Sequence, residues 1–236
     1  TLAIARARGA EVVRQDGRGK GNALRQVVEL LQEEAGGSDR GGVVRHFVVI
    51  DADGTYAPER ISDLVAALDS GYDLVLASRF LGIIHPGAMD DLNRIGNRLL
   101  TWLFRTLNGL AITDACTGMY AFNDRILRNL DLRADGFDVE ADLFTSASLM
   151  MARVAEVPID YARRSGDAKL LPLRSGLQIG VRMVTKRMRR AEVGPPLIRS
   201  PRAPPHPFIG WTGIIREATA PGRFALPPLG EVCQRF

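Results

Sequence analysis

Asp51 and Asp53, separated only by Ala52, end a run of apolar residues and turn it into a loop, V-V-I-D-A-D-G. Two carboxylates one residue apart on a bending backbone can reach one hard divalent cation and the ribose or phosphate oxygens beside it. Mg²⁺ or Mn²⁺ ordinarily takes one or two protein carboxylates and completes its shell with phosphate and water. Asp-rich turns are common, so the weight of this pair comes from its placement. Residues 43–50 form a β-branched run broken only by Arg45 and His46. They read as a buried strand that delivers acid at its carboxyl edge, where ligands bind in parallel α/β sheets. The other reactive side chains offer less. Cys116 and Cys233 are far apart, which argues against a disulfide framework or a cysteine-rich zinc site and fits a reducing, cytoplasmic setting. His46, His85 and His206 are scattered and read as surface or loop residues.

The elements that must hold these residues follow from periodicity. With 46% apolar and 25% charged residues over 236 positions, the chain sits with ordinary globular proteins, large enough for one domain with a sizeable core and an appendage. Residues 1–9 read as a helix already under way that stops at Gly9, and 22–35 as a helix with one apolar face ending at Gly36-Gly37. Helices are expected at 58–68, 92–107, 139–151 and 176–190, and strands at 73–77, 117–122 and 154–161. This alternation is the pattern of an α/β layer with mainly parallel strands and helices on both faces. The helix 176–190 sets Leu177, Ile179, Val181, Met183 and Val184 against Arg182, Lys186, Arg187, Arg189 and Arg190. It lies in a stretch, 163–202, with eleven Lys or Arg against Asp167 and Glu192, so an anionic partner is expected in this third of the chain. Nine of the thirteen prolines fall between Pro195 and Pro228, so residues 191–236 are expected to be an irregular or disordered tail after a domain spanning 1–190. No stretch approaches the ~18–20 apolar residues of a spanning helix.

The D-A-D run and its sequel resemble the central motifs of family 2 glycosyltransferases, in particular the dolichyl-phosphate mannose synthase and polyprenyl-phosphate glycosyltransferase branch. V-I-D-A-D-G-T-Y-A-P-E-R-I is followed by D-L-V-L-A-S-R, as in that family. G-R-G-K-G-N-A-L at 17–24, N-R-I-G-N-R at 93–98 and T-D-A-C-T-G-M-Y-A-F at 113–122 continue the match, as do G-F-D-V-E-A-D-L at 136–143 and R-R-S-G-D-A-K-L at 163–170. The motifs come in one order across residues 1 to about 190. The resemblance implies a GT-A fold, the three-layer α/β architecture of nucleotide-diphospho-sugar transferases. It also places an opening strand and a D-D-x-S-x-D segment ahead of Thr1, which would make the sequence given an N-terminally truncated form. Departures are Thr55, where the mannose synthases tend to have Gln, and Ala168, where Ser is usual.

Site roles follow from that resemblance and from charge. The donor would be a nucleotide-sugar of the GDP-mannose or UDP-glucose type and the acceptor a polyprenyl or dolichyl phosphate. Asp51 and Asp53 would hold Mg²⁺ or Mn²⁺ and the donor diphosphate, with Asp53 at the leaving group. Lys20 would add a point charge near donor phosphate. Arg79, Arg94, Arg164 and Lys169 would hold the acceptor phosphate, Arg79 foremost because it stands at a strand end. Glu140 and Asp142 occupy the place of a general base for hydroxyl acceptors, and Asp114 reads as the organiser of a turn. The expected setting is the cytoplasmic face of a membrane, bound peripherally, with helix 176–190 on anionic headgroups and no nucleic-acid partner. A hydroxyl acceptor on a glycan, or a catalytically inactive chain that binds nucleotide-sugar weakly, are the alternatives. Nothing in the sequence sets the oligomeric state.

Overall fold

Alternation within short strands decides the layering of this protein, whose computed structural model describes residues 2–36, 45–164, 172–193 and 216–218. The strands are β1 (His46–Ile50), β2 (Leu74–Ser78), β3 (Met119–Asn123), β4 (Val154–Pro158) and β5 (Arg216–Ala218). Leu74, Leu76, Tyr120, Phe122 and Val154 turn to one face of the sheet, and Val75, Ala77, Met119, Ala121 and Ala155 to the other. On the second face lies α3 (Ile61–Asp69), entered through a 3₁₀ turn at Pro58–Arg60 and burying Leu64, Ala67 and Leu68. The first face carries α2 (Lys20–Gly36), α4 (Asp91–Asn108), α5 (Asp124–Arg128), α6 (Val139–Leu149) and α7 (Pro172–Val193). The chain opens with α1 (Leu2–Ala7). Phe104 of α4, Phe144 of α6 and Phe122 of β3 are buried together, and each large side chain of this kind stabilises the fold by ~1.5–3 kcal/mol.

The expectation of a mainly parallel sheet is corrected. The strand order is β1-β3-β2-β4-β5, and β3 runs antiparallel to both β1 and β2. Only β2 and β4 pair in parallel, so β1, β2 and β4 share a direction while the sheet is mixed. The cause is the route after α4. Asp90 caps this helix by accepting from the Asn93 N–H at 2.7 Å, and Gly109 ends it with φ of 70°. The loop that follows leads into β3 beside the end of β1, with Met119 opposite Ile50. The ends of β1, β2 and β4 and the start of β3 therefore meet at one edge.

Two further expectations change. Three residues of the proline-rich tail, Arg216–Ala218, form β5, antiparallel to β4 at the sheet edge and free of proline. The rest of residues 194–236 lies outside the described residues. Strand β4 stops at Pro158 rather than Tyr161, and Tyr161 instead makes single bridges to Tyr56 and Ile84.

Candidate active site at the carboxyl edge

The V-V-I run pairs with β3 as far as Ile50, and the Asp51 N–H still donates to the Gly118 carbonyl at 3.0 Å. This holds the acidic loop against the start of β3. A Cβ at Gly118 would collide with the Asp51 carboxylate, which explains the glycine of T-G-M. Asp51 Oδ1 lies 2.7 Å from Lys20 Nζ, and the same ammonium lies 2.5 Å from Glu140 Oε1. Asp53 accepts the Thr55 hydroxyl at 2.6 Å and the Thr55 N–H at 3.1 Å on one oxygen, while the other lies 2.8 Å from Arg164 Nη2. Each carboxylate of the D-A-D pair thus has its own cation, and Thr55 fastens the second.

The glycine-rich segment gains a clear role. Cβ atoms at Gly19 or Gly21 would collide with the carbonyls of Asp135 and Ala134, and the Gly21 and Asn22 N–H groups donate to Gly136 and Asp135 at 3.1 and 3.3 Å. The start of α2 is therefore pressed onto the turn that leads into α6. That packing sets Lys20, the first residue of α2, between β1 and Glu140 of α6. Burial works to lower the Lys20 pKa, but Glu140 and Asp51 outweigh it and hold the ammonium charged. Burial pushes the Glu140 carboxyl up, opposed by Lys20. Burial also acts to raise Asp53, yet the Thr55 bonds and Arg164 leave it below the usual carboxylate range.

Arg79 does not stand ready for a phosphate, contrary to the sequence expectation. Its Nε and Nη2 donate to the two Asp114 oxygens at 2.7 Å each, its Nη2 also donates to the Cys116 carbonyl at 2.9 Å, and it is only 6% exposed. The guanidinium also lies over the Tyr161 ring at 5.2 Å. Asp114 organises its turn as expected, accepting the Cys116 N–H at 3.2 Å. Arg94, by contrast, has a buried Nε with no partner among the described residues. Arg164 is placed on Asp53, and Lys169 lies outside the described residues.

Asp142 is not available as a base. It is fully buried, accepts the Arg133 and Ala134 N–H groups at 2.6 and 2.9 Å, and pairs with Lys186. Arg182 pairs with Asp138 at 2.7 Å. These two contacts correct part of the reading of α7 as a helix with an outward basic face: Arg182 and Lys186 reach protein acids while Arg187 stays exposed, Met183 is buried, and Ile179 packs against the core. The large apolar side chains that the described part of α7 leaves exposed are Leu177, Val181, Val184 and Met188, one helical stripe.

Three residues went unnoticed in the sequence. Glu156, fully buried in β4, accepts both the N–H of Thr113 (2.8 Å) and that of Asp114 (3.2 Å), and burial pushes its carboxyl up to about 7. A lone charge in the buried run V-A-E-V was its signal. The Tyr56 hydroxyl accepts the Gly118 N–H at 2.6 Å, and the Tyr120 hydroxyl is buried without a partner among the described residues. Beside the acidic loop opens a cleft of about 580 Å³ lined by Asp51, Thr55, Tyr56, His85, Asp160 and Ala162, among others, within the size range of small-molecule sites.

A mixed sheet layered between helices, with an acidic loop at its carboxyl edge, defines the GT-A class of glycosyltransferase folds. Glucosyl-3-phosphoglycerate synthase from Mycobacterium tuberculosis, solved with uridine diphosphate, matches with a TM-score of 0.54 at 22% identity, over 79% of this chain and 64% of that chain. The chain belongs to glycosyl transferase family 2, whose model matches residues 1–130. A dolichyl-phosphate hexose transferase of Haloferax volcanii is 33% identical over 186 residues, covering 78% of this chain and 75% of its own. Glycosyltransferase AglJ of the same organism is 30% identical over 224 residues, 94% of this chain, and this chain spans 66% of its length. The polyprenol monophosphomannose synthase of Mycolicibacterium smegmatis is 33% identical over 125 residues, 50% of this chain and 46% of that protein.

Proposed function

We propose that this chain carries the catalytic residues of an inverting hexosyltransferase that moves a sugar from a nucleotide-sugar, of the GDP-mannose or UDP-glucose type, to a polyprenyl phosphate. The observation that carries the reading is the Asp51 and Asp53 pair on the loop beside the cleft, Asp51 lining it and each carboxylate balanced by a separate cation. Oxygen-only side chains of this kind fit Mg²⁺ or Mn²⁺. The described residues contain no group of three or more His, Cys, Asp or Glu able to hold a metal, which suits an ion that completes its shell from the donor's phosphates. Bound there, it would supply Lewis-acid charge at the leaving diphosphate. Neighbours agree in kind: the mycobacterial synthase was solved with Mn²⁺ and uridine diphosphate.

In the transfer, an acceptor phosphate oxygen forms the new bond to the anomeric carbon as the bond from that carbon to the diphosphate oxygen breaks. The phosphate attacks already ionised, so no general base is required. Arg94, whose buried Nε has no partner among the described residues, remains a candidate to hold the acceptor phosphate, and Arg164 can share its charge between Asp53 and the reacting groups. Arg79 instead fixes the Asp114–Cys116 part of the loop that leads into β3. A hydroxyl acceptor with Glu140 as base is a second reading, favoured by the upward push on its carboxyl beside Asp51. Transfer to polyprenyl phosphate by Glu140→Gln at near wild-type rate would exclude an obligatory base.

The membrane part of the proposal rests on two helices. Leu92, Ile95, Leu99 and Trp102 of α4 are each about 60% exposed, and α7, which packs against α4, carries the exposed stripe of Leu177, Val181, Val184 and Met188. Arg98, Arg105 and Arg187, all exposed, lie on the same two helices. No helix among the described residues is long and apolar enough to cross a membrane. Such a surface suits shallow burial in an anionic interface, at the cytoplasmic face where a nucleotide-sugar is available. In flotation with anionic liposomes at low salt, wild-type protein should rise with the lipid and a Leu99→Glu, Trp102→Glu variant should stay behind. Equal flotation of both would remove α4 from the membrane surface.

A further inference from the structure

Lys20 is an unusual residue for its place. It is the first residue of a 17-residue helix with no acid in its first turn, although the partial positive charge at a helix start disfavours cations. The acids come from elsewhere, Asp51 from the end of β1 and Glu140 from the first turn of α6. The position is enforced by backbone: Gly19 and Gly21 allow α2 to approach residues 134–136 more closely than any side chain would permit, and two N–H groups lock it there. The lysine side chain remains 24% exposed, so it is held in the site but not sealed.

From this arrangement we infer that Lys20 is a resident counter-ion, which occupies Asp51 in the metal-free protein and yields that carboxylate to the divalent cation while keeping Glu140. The inference rests on the proposal that Asp51 and Asp53 hold the metal. An ammonium 2.7 Å from Asp51 Oδ1 and a divalent cation on the same oxygen repel each other strongly at such range, so the two compete. In the absence of metal, the lysine prevents Asp51 and the buried Glu140 from facing one another uncompensated, which keeps both carboxylates in place. Once the cation is present, the Glu140 contact remains and the ammonium is directed to the edge of the same site. Lys20 is thus a positioning residue whose cost is a weaker grip on free metal.

The test is a titration of this 236-residue chain with Mn²⁺ alone, with free Mn²⁺ read by its paramagnetic resonance signal at fixed low ionic strength. Lys20→Met should bind Mn²⁺ about tenfold or more tightly than wild type, and Lys20→Arg, which keeps the charge, should stay close to wild type. Because Lys20→Met leaves Glu140 buried without its partner, a second comparison guards against misfolding. Lys20→Met combined with Glu140→Gln should exceed Glu140→Gln alone by a similar factor. If wild type binds Mn²⁺ and Asp51→Asn does not, but removing Lys20 leaves affinity unchanged or lower in both comparisons, the counter-ion inference is overturned and the metal site stands. If neither wild type nor any variant binds Mn²⁺ alone, there is no free-metal site for Lys20 to guard and the inference is overturned, while the donor-dependent metal site is left to the calorimetric titration with nucleotide-sugar.

Discussion

Two acid–base clusters share the carboxyl edge of one sheet and differ chiefly in exposure. In the first, Lys20, Asp51 and Arg164 keep 24%, 34% and 37% of their side-chain surface. In the second, Arg79 and Asp114 keep 7% and 0%, and Glu156 behind them is fully buried. The pairing chemistry is alike in both, but solvent access separates their roles. A pair that water can reach is able to exchange partners with an incoming ion or phosphate. A bidentate pair sealed under Tyr161 cannot do so without exposing a buried charge, so it serves as a fixture. Strand position alone would have ranked Arg79 above Lys20 as a ligand contact, and burial reverses that order.

The comparison can be broken at several points, beginning with the largest effect. Asp53→Asn should lower transfer by about 10²–10³-fold or more, the scale for removing one electrostatic stabiliser of a transition state. Its folding stability should change by no more than ~1 kcal/mol, since its ion pair is partly exposed. Denaturant unfolding with an activity assay reads both, and a large stability loss would show that the acidic loop is a fixture as well. Asp114→Ala should do the reverse, with stability falling by ~3–5 kcal/mol because Arg79 is left buried and unpaired. An unfolding midpoint equal to wild type would mean that the guanidinium finds another partner, and would return Arg79 to the list of mobile ligands.

A smaller effect concerns pH. Glu156 titrates at about 7 in the folded protein against 4.5 for the ordinary carboxyl, so the folded state holds this proton more tightly than the unfolded chain does. The stabilisation is fully present below about 4.5 and is lost as pH rises through about 7, a change of roughly 3 kcal/mol at most. Glu156→Gln should remove this slope from the stability profile between those limits, whatever it does to the level. Unfolding free energies measured across that range, with the same slope in both proteins, would contradict the role given to Glu156.

Much of the frame was legible because it depends on local pattern. The strand ending on Asp51, the amphipathic α4 helix and the breaks at glycine all follow from short-range physics. Strand direction was not legible: M-Y-A-F-N reads the same in parallel and antiparallel company, and only the turn after Gly109 sets it. Side-chain partners were the other gap. Arg182 and Lys186 form part of a basic amphipathic helix in sequence, but Asp138 and Asp142 stand 44 positions away. The partner of Arg79 stands 35 positions away. Glycines were legible as loop formers, whereas the closeness of Gly21 to Ala134 belongs to tertiary packing alone.

The most direct test of the central claim is calorimetric titration of GDP-mannose and of UDP-glucose into wild-type protein with Mn²⁺, repeated with a chelator and with Asp51→Asn and Asp53→Asn. The account predicts that at least one donor binds with Mn²⁺ and that its heat disappears with the chelator and in both variants. Donor binding that survives the chelator and both substitutions, or no donor binding under any of these conditions, would contradict it.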